Sequence, residues 1–291
     1  MANGPLNDQQ VRDYHADGYV LAKGLFDTEE ISLLQRAAKE DRELDQHSFG
    51  RKDGEGGTVR LSGWNHAGDN LYGMFARCES VVNSMEKVLG GEVYHYHSKV
   101  IMKDPKIGGA WAWHQDYGYW YMFGALFPLL GSAYIAMDPA TRENGCLQVI
   151  RGSHQLGRID HLLTGEQAGA DRERVAEILK RMELVHVVMD PGDTLFFHCN
   201  LLHRSDQNRS EKPRWSLICC YNAARNDPYK TDKHPGYSPL HKVPDAAIKE
   251  SGLRRFADAQ GDNAWWEQTS NLAASGLKGK QAEIPASDTT R

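Results

Sequence analysis

The chain has 291 residues, of which 40% are hydrophobic and 25% charged, and its formal net charge is −5. These values are ordinary for a folded globular protein, and the length allows a substantial core. The acidic balance gives no electrostatic reason to expect binding to nucleic acid or to an acidic membrane surface. We find no apolar run long enough to span a bilayer and no signal peptide, so we expect a cytoplasmic protein without a membrane segment.

The cysteine pattern supports the same compartment. The chain has five cysteines, an odd number, and none of them forms a CxxC pair. We therefore expect reduced, mostly buried thiols rather than disulfides or a zinc site.

The first 91 residues predict mostly helices. Apolar residues recur at helical spacing after Asn7, between Asp27 and Leu44, and from Asn70 to Leu89 with a break near Cys78. A short strand is expected at 18–22. The segment 47–60 is rich in glycine and charge, which predicts a mobile loop, and we expect it to form a flap over the functional site.

From Glu92 onward the sequence predicts strands. Short runs rich in β-formers alternate with Gly and Pro turns, which indicates a mainly β fold with flanking helices, either a β-sandwich or a double-sheet jelly roll. We place this core at 92–222, followed by a C-terminal extension at 223–291 whose end is disordered, all within one domain. The predicted strands are 93–102, 110–114, 132–137, 146–150, 184–189, 194–197 and 215–221, with helices at 171–182 and 253–259.

The first informative motif is His114-Gln-Asp116, and its partner lies far along the chain. In an extended chain, residues i and i+2 point to the same face, so an imidazole and a carboxylate are presented together. His203 and Ser205 share a face in the same way. Arg214 opens the next β-run, which would place it on a strand beside that of His203.

This set has a chemical logic. Two imidazoles and one carboxylate on one face of Fe(II) leave three coordination sites open. A 2-oxo acid fills two of them and O2 takes the third. The distal carboxylate of 2-oxoglutarate needs a fixed cation, which Arg214 offers as a planar fork, and the Ser205 hydroxyl adds a hydrogen bond.

The combined pattern resembles the phytanoyl-CoA dioxygenase family of Fe(II)/2-oxoglutarate oxygenases. The spacing of the metal motif is joined by the segments ENGCL at 143–147, IRGSH at 150–154 and DPGD at 190–193, and the resemblance runs from about residue 8 to residue 225. It implies a double-stranded β-helix, which is a variety of jelly roll.

The resemblance also implies roles for individual residues. His114, Asp116 and His203 match the iron ligands, and a carboxylate at the second position disfavours halogenation. Arg214 and Ser205 match the pair that holds 2-oxoglutarate.

Further matches concern the surroundings of the metal. His97 stands where relatives often have a Gln that touches the co-substrate. Tyr117, Tyr119 and Trp120 directly follow the metal motif, and in a relative that hydroxylates ectoine a tryptophan at the place of Trp120 lines the substrate pocket. We expect these three aromatic residues to form a substrate wall, with core packing as the alternative.

The other histidines have weaker claims. His198 precedes His203 by five residues and therefore faces the opposite way in a regular strand, unless a bulge intervenes. His154 and His186 are expected to be capping or core residues. The remaining candidates, expected in loops, are His161, His234 and His241.

We expect hydroxylation of a C–H bond in a small polar or zwitterionic metabolite, such as an amino-acid derivative, an ectoine-like solute or an aminophosphonate. 2-Oxoglutarate and O2 would be consumed, with release of succinate and CO2. Two alternatives remain: the same chemistry on an acyl-CoA or a secondary metabolite, or a non-catalytic metal-binding jelly roll. The enzyme would act as a monomer or homodimer.

Overall fold

The computed structural model describes residues 4–53, 55–164 and 166–257. Helices dominate the beginning and the end of this range. The helix predicted from Asp27 to Leu44 is divided at Asp41, which the sequence did not predict, whereas the break near Cys78 was predicted. The Asp41 carboxylate caps a new helix by accepting from Leu44 N at 3.0 Å, and Cys78 has extended backbone angles between two helices. The helices are α1 Asp8–Asp17, α2 Thr28–Glu40, α3 Arg42–Gln46, α4 Leu71–Arg77, α5 Glu79–Leu89, α6 Tyr117–Trp120, α7 Arg172–Leu179 and α8 Ala247–Ala257, with 3-10 turns at Ser153–Leu156 and Ala224–Asn226.

Strands form the middle of the chain, as predicted. Each predicted strand is present with bounds shifted by a few residues, and several further strands appear. The strands are β1 Tyr19–Ala22, β2 Phe49–Lys52, β3 Thr58–Trp64, β4 Val93–Lys103, β5 Trp111–His114, β6 Leu130–Ala136, β7 Leu147–Ile150, β8 His161–Thr164, β9 Gln167–Ala170, β10 Leu184–Val187, β11 Thr194–His198, β12 His203–Ser205 and β13 Arg214–Ala223.

The strands pair into two antiparallel sheets and a separate hairpin. The larger sheet has the order β1-β11-β6-β13-β4-β3-β2, the smaller one has the order β10-β7-β12-β5, and β8 pairs with β9. Residues of both sheets line a common cavity, so the sheets face each other across it. The predicted jelly-roll architecture is confirmed, with the long central strand β13 paired along its length to β4 and β6.

The segment 47–60 is not an irregular loop, contrary to the prediction. It forms most of a hairpin in which β2 pairs with β3 at the edge of the larger sheet. The turn is held by the Asp53 carboxylate, which accepts from Glu55 N at 2.7 Å and Gly57 N at 2.9 Å, and also from Ala110 N at 2.8 Å. Glycine and charge therefore mark a hydrogen-bonded turn between two strands.

Helices α2, α4 and α5 cover one face of the larger sheet. Leu34 of α2, Phe75 of α4 and Val82 of α5 are fully buried in one apolar cluster with Ile135 and Leu217 of the sheet. This packing explains why the N-terminal region is helical yet also contributes β1, β2 and β3 to the sheet.

The C-terminal part of the described chain closes over these helices. Helix α8 begins at Ala247, earlier than the predicted start at 253, and packs on α2 and α4. The predicted disordered end after residue 279 lies outside the described residues. Within the described part of the chain, each helix is too short or too polar to cross a membrane.

Candidate metal centre and adjoining cavities

Two histidines and one aspartate converge where β5 meets β12. His114 and His203 are direct partners in the antiparallel register, and their ring centroids are 4.0 Å apart. Asp116 lies beside them, with Oδ1 3.8 Å from His114 Nε2. All three residues are buried, and their ligand atoms lie within 4.8 Å of one another. The geometry is that of a three-residue metal site.

Asp116 reaches this point by a route that strand alternation did not predict. Strand β5 ends at His114, and Asp116 has φ −58° and ψ −39°, which are helical values at the start of α6. A turn, rather than the alternation of an extended chain, therefore brings the carboxylate to the imidazoles. The prediction that the residues lie together is correct, but its stated reason was wrong.

The buried side chain of Gln115 fixes that turn. Its amide nitrogen donates to Asn200 O and to Gly157 O, each at 2.8 Å, and its carbonyl oxygen accepts from Ile159 N at 2.7 Å. Its backbone N–H donates to His161 Nε2 at 2.8 Å. The turn is thus tied to neighbouring segments by four hydrogen bonds, so the orientation of Asp116 is set by buried backbone partners.

The two histidines are oriented for metal binding. His114 Nδ1 lies 2.8 Å from Ala112 O, and His203 Nδ1 lies 2.9 Å from Leu201 O. Because a carbonyl can only accept, each Nδ1 must carry the proton, which leaves the Nε2 lone pair free. Burial is the main factor that lowers the pKa of both imidazoles, and neutral imidazole is the metal-binding form.

The Asp116 carboxylate is held from both sides. The Tyr119 hydroxyl donates to Oδ1, and the Ser132 hydroxyl donates to Oδ2 at 3.3 Å. Burial, followed by the charge of Asp116, raises the pKa of Tyr119 well above its usual value, so this hydroxyl remains a donor. These are the outer hydrogen bonds that position a ligating carboxylate.

The first cavity adjoins the histidines and encloses about 430 Å³ of space, including its mouth. His114, His203, Ser205 and Arg214 all line it. Arg214 does not lie on a strand next to β12, as the sequence suggested. It belongs to β13 in the facing sheet and reaches the same cavity from the opposite side. The jelly roll, rather than strand neighbourhood, brings the serine and the arginine together.

Arg214 is almost fully buried and has no carboxylate partner among the described residues. Its Nη1 donates to the Tyr134 hydroxyl, and its Nε finds no acceptor within the described ranges. The guanidinium is therefore fixed by a neutral group and remains available to an anion.

The first cavity also contains cations that sequence reasoning missed. Lys103 is the cross-strand partner of Arg214. Lys99 precedes Lys103 by four residues and therefore lies on the same face of β4. Arg204 completes the group, and the lining residues include no carboxylate. The sequence contained a pattern that could have predicted these cations. Side chains alternate with a period of two along a strand, which places Lys99 and Lys103 on one face of β4.

A second cavity lies beside the first and shares Lys99 and Trp111 with it. It encloses about 360 Å³, again including its mouth. The lining residues come from β2, β3, β4, β5 and α6: Phe49, Arg51, Leu61, His97, Lys99, Trp111, Tyr119 and Trp120. The β2–β3 hairpin thus forms a wall of this cavity, at the position expected for the predicted flap.

The predicted aromatic wall is divided by the structure. Tyr119 and Trp120 line the second cavity. The Tyr117 hydroxyl instead donates to Leu126 O at 2.6 Å, and its ring belongs to the apolar core, which favours packing for this residue. His97, which the resemblance placed at the co-substrate, lies in the second cavity rather than the first.

The remaining histidines lie outside the metal group. His198 faces away from it, with its ring 5.4 Å from His154, as strand parity predicts. His186 is only half-buried on β10, so its predicted core position was wrong. His161 is buried in β8 rather than in a loop. His234 does lie in a loop, as predicted, but it is buried and its ring stacks on that of His97, with 4.7 Å between the ring centroids. The sequence did not predict this contact.

Comparisons with known proteins agree with this geometry. The family model for phytanoyl-CoA dioxygenase matches residues 14–216. The chain is 31% identical over 260 residues to the L-proline trans-4-hydroxylase of Streptomyces griseoviridis, covering 82% of this chain and 92% of that protein. It is 27% identical over 240 residues to an ectoine dioxygenase of Sphingopyxis alaskensis, covering 77% and 78% of the two chains.

Solved structures give the same result. The crystal structure of EctD from S. alaskensis with 2-oxoglutarate and 5-hydroxyectoine superposes with a TM-score of 0.70 at 25% identity, covering 84% of this chain and 90% of that one. The fold, the dioxygenase class and the pairing of iron with 2-oxoglutarate that the sequence predicted are thereby confirmed. The chain belongs to the phytanoyl-CoA dioxygenase family and is a non-haem iron dioxygenase that depends on 2-oxoglutarate.

Proposed function

We propose that this enzyme hydroxylates a C–H bond of a small polar or zwitterionic metabolite, with iron held by His114, Asp116 and His203. The proposal rests on the convergence of the Nε2 atoms of His114 and His203 with the carboxylate of Asp116. The Nδ1 atom of each histidine is already hydrogen-bonded to a backbone carbonyl, so both Nε2 atoms are free. Relatives named for L-proline and ectoine, both small zwitterions, support this substrate class.

The donor set fits Fe(II). Two imidazoles and one carboxylate form the facial triad typical of non-haem iron oxygenases, with the other coordination positions left for exchangeable ligands. When bound, iron and 2-oxoglutarate supply the oxidation of a C–H bond to C–OH by O2, with release of succinate and CO2. The protein's part is to position the reactants and exclude water, which the burial of all three ligands favours.

We place 2-oxoglutarate in the first cavity. Arg214 would bind its distal carboxylate with two parallel N–H donors, and the Ser205 hydroxyl would donate to the same group. Lys103 and Tyr134 lie beside this position, so the carboxylate would enter a region that already carries positive charge and hydroxyl groups. The ketoacid end would then point toward His114 and His203 on the opposite wall.

We place the substrate in the second cavity, against Tyr119 and Trp120. This cavity borders the hydroxyl that orients Asp116, so a ligand in it lies close to the metal ligands. The cavity is narrow, which favours a small metabolite over an acyl-CoA. The free, buried cysteines of the described chain support the proposed cytoplasmic location, and the monomer or homodimer stays a prediction.

Anaerobic addition of Fe(II) and 2-oxoglutarate should produce a weak visible charge-transfer band and, in air, iron-dependent release of succinate. His203→Ala should lose both, because one of three ligands is missing. His198→Ala, whose ring faces away from the site, should retain both. A silent wild-type spectrum with tight retention of zinc would support the non-catalytic alternative.

Arg214→Met should raise the KM for 2-oxoglutarate by about 30-fold or more, since it removes one partner of a buried charge pair. Arg142→Met removes an exposed arginine and serves as the control, with an unchanged KM. Steady-state succinate release at varied 2-oxoglutarate measures the effect. An unchanged KM in Arg214→Met would refute the assigned role.

Tyr119→Phe should weaken Fe(II) affinity about 10- to 100-fold, the usual loss when a hydrogen bond to a metal ligand is removed. Tyr117→Phe removes a hydroxyl that donates to a backbone carbonyl instead, so its Fe(II) affinity should match the wild type. Competition with a chromophoric chelator under anaerobic conditions measures both. Equal affinities in the two variants would contradict the proposed arrangement.

A further inference from the structure

Arg51 of the β2–β3 hairpin lines the second cavity. Its Nη2 atom is buried and has no hydrogen-bond partner among the described residues. The described ion pairs contain no carboxylate bonded to it. Burial, opposed by the charge of Glu166, lowers the pKa of Arg51, which reflects a guanidinium taken partly out of water without a paired anion.

Other polar nitrogens around the same cavity are also without a partner among the described residues. Trp120 Nε1 is a donor only, and it is buried without an acceptor in the described part of the chain. His97 Nδ1 is likewise buried without a partner. Three buried polar nitrogens therefore face or border one small space. Since buried polar groups are normally satisfied, a ligand with acceptor oxygens would supply the missing partners of Arg51 Nη2 and Trp120 Nε1.

The charges around the cavity point in the same direction. Arg51 and Lys99 line it, and the lining residues include no aspartate or glutamate. Glu166, whose charge acts on Arg51, already accepts from Lys52 N at 3.0 Å through Oε2. A ligand with a negative group at the Arg51 end would remove the electrostatic penalty of this unpaired cation.

The two cations are not equivalent. Lys99 lies between the two cavities and lines both, so its charge acts on either ligand. Arg51 lines the second cavity but not the first. A guanidinium also offers a planar fork that matches a carboxylate, whereas an ammonium is a point charge. Arg51 is therefore the group that can discriminate between ligands of the second cavity.

We propose that the substrate is a small carboxylate, a free amino acid or cyclic imino acid, and that Arg51 binds its carboxylate. This inference rests on the proposed function and adds the substrate class and the residue that selects it. The aromatic faces of Trp111, Tyr119 and Trp120 suit the cationic amine end of such a ligand, because aromatic rings attract cations. The side-chain or ring carbons, which are attached to the same Cα as both charged groups, would then face the metal ligands.

The test measures substrate-stimulated succinate release by the iron-loaded enzyme. The probes are the standard L-amino acids, L-pipecolate and ectoine, each beside its carboxamide and its phosphonate analogue. The variants are Arg51→Met and Arg51→Lys. Lys52→Met is the matched control, since it removes one cation from the same strand on the exposed, opposite face. Melting temperatures confirm that all variants fold.

We expect at least one carboxylate probe to stimulate the wild type, and its carboxamide to fail. Arg51→Met should raise the KM for that probe about 30-fold or more, as expected for loss of one partner of a buried charge pair. Arg51→Lys should give an intermediate KM, and Lys52→Met a wild-type KM. The slow succinate release without any probe should be unchanged in Lys52→Met, because Lys52 lies on the exposed face of its strand.

The outcomes distinguish failure of the inferred substrate class or of the role of Arg51 from failure of the proposed function. Stimulation by ectoine alone, by carboxamides, by phosphonates alone or by none of the probes would overturn the inferred substrate class. Equal KM values in Arg51→Met and Lys52→Met would overturn the role of Arg51. Each of these results leaves the basal, iron-dependent turnover in place. Absence of that basal turnover in the wild type would instead count against the proposed function itself.

Discussion

The site depends on the pairing of β5 with β12. This antiparallel pair places His114 directly opposite His203, so one register sets the separation of the two imidazoles. A shift by one residue would turn one ring to the other face of the sheet and abolish the site. β12 has only three residues, and it is held on its other side by β7, with His203 opposite Val149. The register of a very short strand is thus secured by two neighbours.

The third ligand shows how irregular backbone completes such a site. Asp116 cannot be placed by the sheet, because the strand has already ended, and the turn that carries it needs its own support. Buried Gln115 supplies that support through bonds to backbone groups of distant segments. Gly118 is also required here, since a Cβ at this position would lie 2.1 Å from the His161 ring. The His161 ring in turn accepts from Gln115 N, so the two constraints reinforce each other.

Electrostatics divides the interior into two regions with one metal site between them. Arg214 and Lys103 occupy the far end of the first cavity, and Arg51 occupies the hairpin side of the second. Burial, followed by the charge of Arg214, lowers the pKa of Lys103 well below its usual value, as expected for a buried amine beside another cation. Each region is thus complementary to an anionic ligand, and the proposed reaction needs two ligands that meet at the metal.

Much of the fold and of the candidate site could be predicted from the sequence, and the features that could not be predicted have physical causes. Alternating β-formers and Gly/Pro turns predicted the strands of the core. The histidine and aspartate motifs predicted the candidate metal site, although a turn rather than strand alternation brings Asp116 to His114 and His203. The β2–β3 hairpin was missed because glycine and charge dominate its turn. Arg51 was missed with it. The location of Arg214 in the facing sheet, and the contact between His97 and His234, depend on how distant segments fold over each other, which local patterns do not encode.

The central claim is that iron is bound between His114, Asp116 and His203. It is tested most directly by anomalous diffraction at the iron edge from crystals grown anaerobically with Fe(II) and 2-oxoglutarate. The account predicts one strong peak at bonding distance from both Nε2 atoms and the Asp116 carboxylate, with the distal carboxylate of 2-oxoglutarate on Arg214. Iron bound elsewhere, or bound without one of these three side chains, would contradict it.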